Sequence, residues 1–277
     1  WSTTVMIEYI IMLPAVGAAS APSKLPDAFA EGFGGPRLVF VDGTFQASLS
    51  DLDELPGVEL CRFEDASAEQ AARIAEHLGS SLDPKKHLFA ALNTATLRDG
   101  VFVQIAAGAV VDRPIQLLWL VRAADGPTAM SQRLLFLAGA NARATVIEQF
   151  VSLSGAEPSF CSGVTELLLS PGAQVDHCRL HEEQGEAVHI GAVHARLDRD
   201  SRLSSFHLAL GSALKRVDIV ANHDGPGAKL DLNGVYLPRG DEHIDYHTTI
   251  EHAVPHCESD EVFRGIIADR ATAVFNG

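Results

Sequence analysis

Aromatic side chains make up only 6% of the 277 residues. Such a chain offers few flat surfaces on which sugar rings could stack, which counts against a polysaccharide lyase. The four cysteines include no C-x-x-C pair, so neither a zinc ribbon nor a disulfide framework is expected. Unpaired cysteines are typical of a reducing compartment, and we predict a cytoplasmic protein.

Basic residues are outnumbered, since 21 lysines and arginines stand against 36 aspartates and glutamates. An acidic surface with no basic block repels phosphate backbones, so we expect no nucleic-acid partner. The longest apolar stretch, Val5–Val16, contains Glu8 and Pro14 and is shorter than the roughly 18 residues of a membrane span. We predict no membrane association and interpret this stretch as a buried strand or a packed arm.

Sequence motifs of nucleotide and ester hydrolysis are also missing. The glycine-rich segment Gly32–Gly35 precedes a strand pattern rather than a helix, so it does not have the usual geometry of a phosphate loop. There is no Walker lysine motif and no G-x-S-x-G arrangement. Nothing in the sequence therefore indicates an enzyme of either class.

Residues 1–87 have the pattern of a small mixed α/β region. Leu38–Val41 reads as a strand that enters an Asp-Gly turn, with Thr44–Leu49 alternating on the far side of a hairpin. Ala68–Leu78 has apolar residues at helical spacing, after a Ser-x-x-Gln capping box and before a glycine. We predict one short helix in this region.

From residue 88 to residue 277 the helical signal gives way to short alternating apolar runs, which predict a mainly β domain. A weak repeat opens these runs with a turn residue and then a small residue. The small residues of the repeat are Ala109, Ala142, Ala173, Ser201, Ala228 and Ala271. Their spacings of 33, 31, 28, 27 and 43 residues favour a β-solenoid, with a longer insertion in the last interval. The uneven spacing leaves a jelly roll or a cupin barrel as alternatives.

Several motifs in this region resemble the SufB/SufD family, whose members belong to the SUF machinery for iron-sulfur cluster assembly. The first are Leu92–Ala95, Asp99–Phe102 and Pro114–Leu118. The later ones are similar to the family's H-x-x-P-x-C-x-S and V-F-x-G segments. They comprise Glu251, His252, Pro255, Cys257, Ser259, Phe263, Arg264, Gly265, Asp269, Ala271, Val274, Phe275, Asn276 and Gly277. The alanine-rich style and variable N-terminal part are closer to SufD than to SufB.

The resemblance implies a right-handed parallel β-helix and a non-catalytic scaffold subunit. It also implies partners, namely a SufB-like protein and the ATP-hydrolysing SufC. No cofactor would be held permanently, and a nascent iron-sulfur cluster would be shared with those partners. The family's Cys-Ser-His segment and C-terminal helical region would lie after Gly277, so we expect this chain to be a truncated core. When the chain is isolated, we expect it to form a homodimer through its open sheet edges.

Ten histidines are concentrated in the second half of the chain: His177, His181, His189, His194, His207, His223, His243, His247, His252 and His256. We expect these to be outward-facing polar positions of the coil. The alternative is metal binding by ligands from neighbouring rungs, which could bring His177, His207 and a residue near Asn233 into register.

The best candidate for chemistry is the segment from His252 to Cys257. Pro255 interrupts the strand, so His252, His256 and Cys257 could converge at a turn beside Glu251 as a transient iron or sulfur site. The alternative is that His252 and Cys257 are buried for packing.

An enzymatic alternative uses a different set of residues. His243, His247 and Glu251 are spaced loosely like the metal-binding strand of a cupin, which would make the chain a small-molecule metalloenzyme. The missing H-x-H pair counts against this hypothesis.

Overall fold

The computed structural model describes residues 22, 24–25, 32–83, 85, 87–122, 126–153 and 158–277. The stretch Val5–Val16, predicted to be a strand or arm, lies outside them. The helices are α1 (Ala68–His77) and α2 (Leu88–Thr96). The strands are β1 (Arg37–Val41), β2 (Thr44–Phe45), β3 (Val58–Arg62), β4 (Val101–Ile105), β5 (Ile115–Val121), β6 (Thr128–Ala138), β7 (Arg143–Ser152), β8 (Ser159–Leu169), β9 (Gln174–Glu182), β10 (Val188–Leu197), β11 (Arg202–Leu210), β12 (Leu214–His223), β13 (Lys229–Leu237), β14 (His243–His252), β15 (Glu258–Gly265) and β16 (Thr272–Asn276).

From β4 onward, successive strands alternate between two sheets. One sheet has the order β15-β13-β11-β9-β7-β5-β1-β2 and the other the order β16-β14-β12-β10-β8-β6-β4-β3. Pairing is parallel throughout, except for β1 with β2 and β3 with β4. Each turn of the chain thus adds one strand to each sheet, which makes a β-solenoid of about 6 turns. The predicted solenoid is confirmed.

The repeat of the sequence corresponds to one stacked corner of the solenoid. The residue before each small residue has a positive φ, as at Gly108, Asn141, Gly172, Asp200, Gly227 and His256. Glycine, asparagine and aspartate tolerate this left-handed backbone best, which explains the turn residues. The sixth small residue is Cys257, 29 positions after Ala228, whereas Ala271 precedes β16 in the other sheet. The prediction of a longer insertion in the last interval of the repeat was therefore wrong.

The N-terminal elements extend the same two sheets. The hairpin of β1 and β2 is confirmed, with Val41 paired to Thr44, although the second strand ends at Phe45 and a 3₁₀ turn follows at Ala47–Leu49. The capping box at the start of α1 is also confirmed. Its main-chain and side-chain hydrogen bonds satisfy two amide groups that the helix leaves free.

The helix predicted in residues 1–87 is confirmed as α1, and a second helix that the sequence pattern did not predict, α2, begins at Leu88. Both helices cover the outer face of the sheet that runs from β16 to β3, which we call the even-numbered sheet because all of its strands except β3 have even numbers. Ile74 of α1 packs with Phe102 and Leu135, and Ala90 of α2 packs beside Val164. No helix in the described part of the chain is long and apolar enough to cross a membrane.

Candidate functional site

A group of ionisable side chains lies between the two sheets, in the rungs from β7 to β12. We refer to it as the interior network, and none of its members is more than 2% exposed: Glu148, His177, Arg179, His181, Glu183, His189, His207 and Lys215. A buried charge is strongly unfavourable unless it is paired and hydrogen-bonded. The contacts in this network are therefore what allows it to exist in the folded chain.

The first half of the network is centred on Arg179. Its Nη1 donates to Glu148 Oε1 at 3.0 Å and to Thr165 Oγ1 at 2.6 Å, and Nη2 donates to the carbonyl of Gly163 at 3.1 Å. The guanidinium carbon also lies 4.5 Å from the ring centroid of Phe150. Burial raises the pKa of Glu148, but Arg179 and neighbouring donors outweigh it and bring the pKa to about 2.

The second half is centred on Glu183, in the loop between β9 and β10. Its Oε1 is 2.6 Å from His189 Nδ1, and its Oε2 lies 3.5 Å from His181 Nδ1 and 3.7 Å from Lys215 Nζ. Lys215 also donates to the carbonyls of Glu183 and Leu210, at 2.5 and 2.6 Å. Two carboxylates and two cationic side chains thus balance the formal charge inside the coil.

Two glycines on the facing sheet make room for these side chains. A Cβ atom at Gly163 would lie 2.9 Å from Arg179 Nη2, and one at Gly191 would lie 2.8 Å from His189 Nε2 and 2.7 Å from the Gly163 carbonyl oxygen. Such close contacts would force the network apart. The glycines are therefore needed at these two strand positions for steric reasons.

The histidines of the middle rungs do not face water as predicted. His177, His181, His189, His194, His207 and His223 are at most 1% exposed. The predicted register was also wrong, because His177 pairs with Ser205, whereas His207 pairs with Gly234 and Asn233 with Phe206. Ser205 Oγ links the rings of His177 and His207, at 2.9 and 3.0 Å.

One of these buried histidines should make stability depend on pH. Burial lowers the pKa of His194 from 6.5 to about 3. Between these values the unfolded chain binds the extra proton, so the free energy of unfolding falls by about 1.4 kcal/mol per pH unit below pH 6.5. Urea unfolding at pH 7.5, 6.5 and 5.5 measures this slope. His194→Gln should reduce the slope by that amount and His243→Gln should not; equal slopes in wild type and His194→Gln would contradict the assignment.

The residues predicted to form an iron or sulfur site lie at the corner between β14 and β15. His252 and His256 are exposed, while Cys257 is partly buried in the stack of small corner residues. His252 Nε2 is 3.1 Å from Ser259 Oγ, and Cys257 Sγ lies 3.6 Å from the Gly225 carbonyl oxygen. Within the described residues, the ligand atoms of this trio are not gathered within 4.8 Å of one another.

The other motif residues build the last rung of the solenoid. Phe263 stacks on Phe275 with ring centroids 4.8 Å apart. Gly265 lies against Tyr236, where a Cβ atom would be 2.0 Å from Cε2 of the ring. A Cβ atom at Gly277 would similarly lie 2.7 Å from Thr248 Oγ1. These motif glycines are explained by close packing.

The cupin alternative was wrong in its fold, because a cupin is a closed barrel of antiparallel strands and the sheets here are largely parallel. Its three residues all lie along β14. His247 Nε2 contacts Asp245 Oδ1 at 2.8 Å and its Nδ1 lies 3.3 Å from Asn276 Nδ2, while Glu251 is exposed. His243 is the first residue of the strand.

The interior network was not predicted as a site, although the alternation of the sequence contained a signal for it. In β9, His177, Arg179 and His181 lie two, four and six residues after the buried Val175. Residues two apart on a strand point to the same face. The three side chains therefore point to the same face as Val175, which is the inside of the coil.

Two family models together match most of the chain. A model described as the SUF system FeS cluster assembly SufBD core domain matches residues 120–277, more than half of the chain. The chain belongs to the SufBD family. A second model, the SufBD protein N-terminal region, matches residues 33–117, which include β1 to β4 and the beginning of β5. The resemblance read from the motifs is confirmed.

Individual SufBD relatives agree with the family match. An iron-sulfur cluster assembly SufBD family protein of Synechocystis sp. is 29% identical over 94% of this chain and 58% of its own length. The iron-sulfur cluster assembly protein SufD of Escherichia coli K12 is 29% identical over 91% of this chain and 57% of its own length. SufD of Bacillus subtilis is 22% identical over 69% of this chain and 44% of its own length. The chain thus spans less than three fifths of these relatives.

Proposed function

We propose that the chain is the β-solenoid part of a SufD-like scaffold subunit that works in iron-sulfur cluster assembly in the cytoplasm. In this proposal it pairs with a SufB-like protein, and ATP hydrolysis belongs to a SufC-like partner. The cluster is cargo that the subunits share, and the chain holds no permanent cofactor for this task. Family membership supports the general role.

The observation that supports pairing of the 277-residue chain is the rung that β15 and β16 form. Within the described residues, β15 and β16 each pair with a strand on one side only. An unpaired strand edge presents amide and carbonyl groups that another strand can bind. Apolar side chains accompany these edges, since Val262 is 37% exposed and Phe275 41%. In isolation, a second copy of the chain would cover the same edges as a homodimer.

The corner formed by His252, His256 and Cys257 adjoins this rung, and we propose that it offers ligands for transient iron or sulfur. The exposed imidazoles and the partly buried thiol suit iron in donor type. Since the three ligand atoms are not gathered at one point, a partner subunit would supply the remaining ligands.

The test is co-expression of the tagged 277-residue chain with SufB-like and SufC-like proteins of one organism. We expect the SufB-like protein to be retained on the tagged chain, and light scattering to give a homodimer when the chain is alone at tens of micromolar. Phe275→Asp should lower retention at least tenfold, because it places a charge on the apolar edge.

The control is Leu52→Asp, which changes a 55% exposed residue far from this rung in sequence and should leave retention unchanged. No retention by the wild-type chain would refute the proposed pairing, and equal losses in the two variants would refute the assignment of the interface to β15 and β16.

A further inference from the structure

A buried thiol lies beside two members of the interior network, Glu183 and His189. Cys161 of β8 lies next to His189 in the sheet register. The Cys161 sulfur, a carboxylate oxygen of Glu183 and a ring nitrogen of His189 all lie within 4.8 Å of one another, and no comparable group occurs elsewhere in the described residues. All three side chains are at most 1% exposed.

We propose that Cys161, Glu183 and His189 bind one divalent transition-metal ion, Zn²⁺ or Fe²⁺, inside the solenoid. A thiolate, an imidazole and a carboxylate together favour these borderline ions over Mg²⁺ or Ca²⁺. Tetrahedral bonds of about 2.0–2.3 Å place the ligand atoms roughly 3.3–3.8 Å apart. The present spacing therefore requires only small side-chain movements.

Three polar atoms in this part of the coil lack a hydrogen-bond partner. Glu183 Oε2, His189 Nε2 and His181 Nδ1 are buried and have no hydrogen-bond partner. Buried polar atoms are normally satisfied, so each of these three atoms could interact with a ligand. His181 Nδ1 lies 3.5 Å from Glu183 Oε2 but outside the group of three ligand atoms. Three or four protein ligands are typical of zinc sites.

The ammonium group of Lys215 is the main obstacle to a cation here. Lys215 is held by the carbonyls of Glu183 and Leu210, and its Nζ lies 3.7 Å from Glu183 Oε2. The incoming ion would then replace the ammonium as the charge partner of Glu183.

This site is separate from the corner proposed for the transient cluster. It lies inside the coil and is closed to solvent, so the ion would enter during folding and remain as a resident structural ion. The proposal does not depend on pairing with SufB-like or SufC-like proteins, and it can fail or succeed independently of them.

The test uses Co²⁺ as a spectroscopic substitute for Zn²⁺. The purified 277-residue chain is unfolded in denaturant in the presence of a chelator, and it is then refolded with and without Co²⁺. We expect one equivalent of bound Co²⁺, with a thiolate-to-cobalt absorption band in the near ultraviolet. Zn²⁺ should abolish the band by competition and raise the melting temperature of the chain, because it binds the folded state.

Variants locate the ion. Cys161→Ser should abolish the band, and Glu183→Gln should weaken Co²⁺ binding at least tenfold, whereas Cys178→Ser and His247→Gln should keep both. Circular dichroism confirms folding of each variant. If a core variant does not fold, the rise in the melting temperature of the wild-type chain with Zn²⁺ still tests whether the ion binds. No band and no shift in the wild type, or a band that survives in Cys161→Ser, would overturn the site.

Discussion

Replacing Arg179 with methionine is expected to lower the free energy of unfolding by about 3–5 kcal/mol. Methionine has a similar volume and fills the same space, but it leaves the Glu148 carboxylate buried without its main charge partner. It also removes a donor to Thr165 and one to the Gly163 carbonyl. Urea unfolding at pH 7.5 measures the loss.

The matched control is Arg202→Met. Arg202 pairs with Asp231 at 2.5 Å on the surface, and its side chain is 58% exposed. Exposed ion pairs contribute at most about 1 kcal/mol. The double variant Glu148→Gln with Arg179→Met removes both charges and should be less destabilised than the two single losses together. Comparable losses in Arg179→Met and Arg202→Met would refute the view that charge pairing inside the coil decides this stability.

Replacing Glu166 with alanine is the second change with a large expected effect, again about 3–5 kcal/mol. Glu166 is fully buried on the outer face of the even-numbered sheet. It binds Arg133 Nη2 at 2.5 Å, the Gly79 amide at 2.8 Å and Ser81 Oγ at 2.6 Å. Alanine would leave an unpaired buried guanidinium and free the segment after α1 from the sheet.

Two measurements check this result. Urea unfolding should show the loss for Glu166→Ala, whereas Glu258→Ala, which removes an exposed pair with Lys229, should cost at most about 1 kcal/mol. Amide hydrogen exchange should become faster at Gly79 and Ser81 in Glu166→Ala. Unchanged exchange at these two amides would show that Glu166 does not hold the segment.

The sequence was sufficient for the features that depend on local geometry. The period of small corner residues follows from a left-handed backbone position in every turn, so it predicted the solenoid. The capping box and the Asp-Gly turn are likewise set by residues three or fewer apart. Helix α2 was missed because it depends on distant contacts: Asn93 donates to the carbonyls of Gln132 and Ser162, on two strands.

The interior network, by contrast, does not follow from such local patterns. Histidine and arginine on a β-strand normally indicate the solvent face, because a lone buried charge is unfavourable. Here Glu148 and Arg179 lie 31 positions apart in sequence and come opposite each other only through the register of β7 and β9. Pairing of this kind is visible only once the rungs are stacked.

The parallel stacking of the rungs also determines where the molecule is least cohesive. A rung in the middle of the coil has a neighbour above and below, whereas β15 and β16 have described neighbours on one side only. In a nearly one-dimensional stack, cohesion is a sum over adjacent contacts, so a rung with one neighbour opens with a smaller free energy than a rung with two. A further rung placed against β15 and β16, from a following segment or from a partner, would therefore add cohesion to the coil.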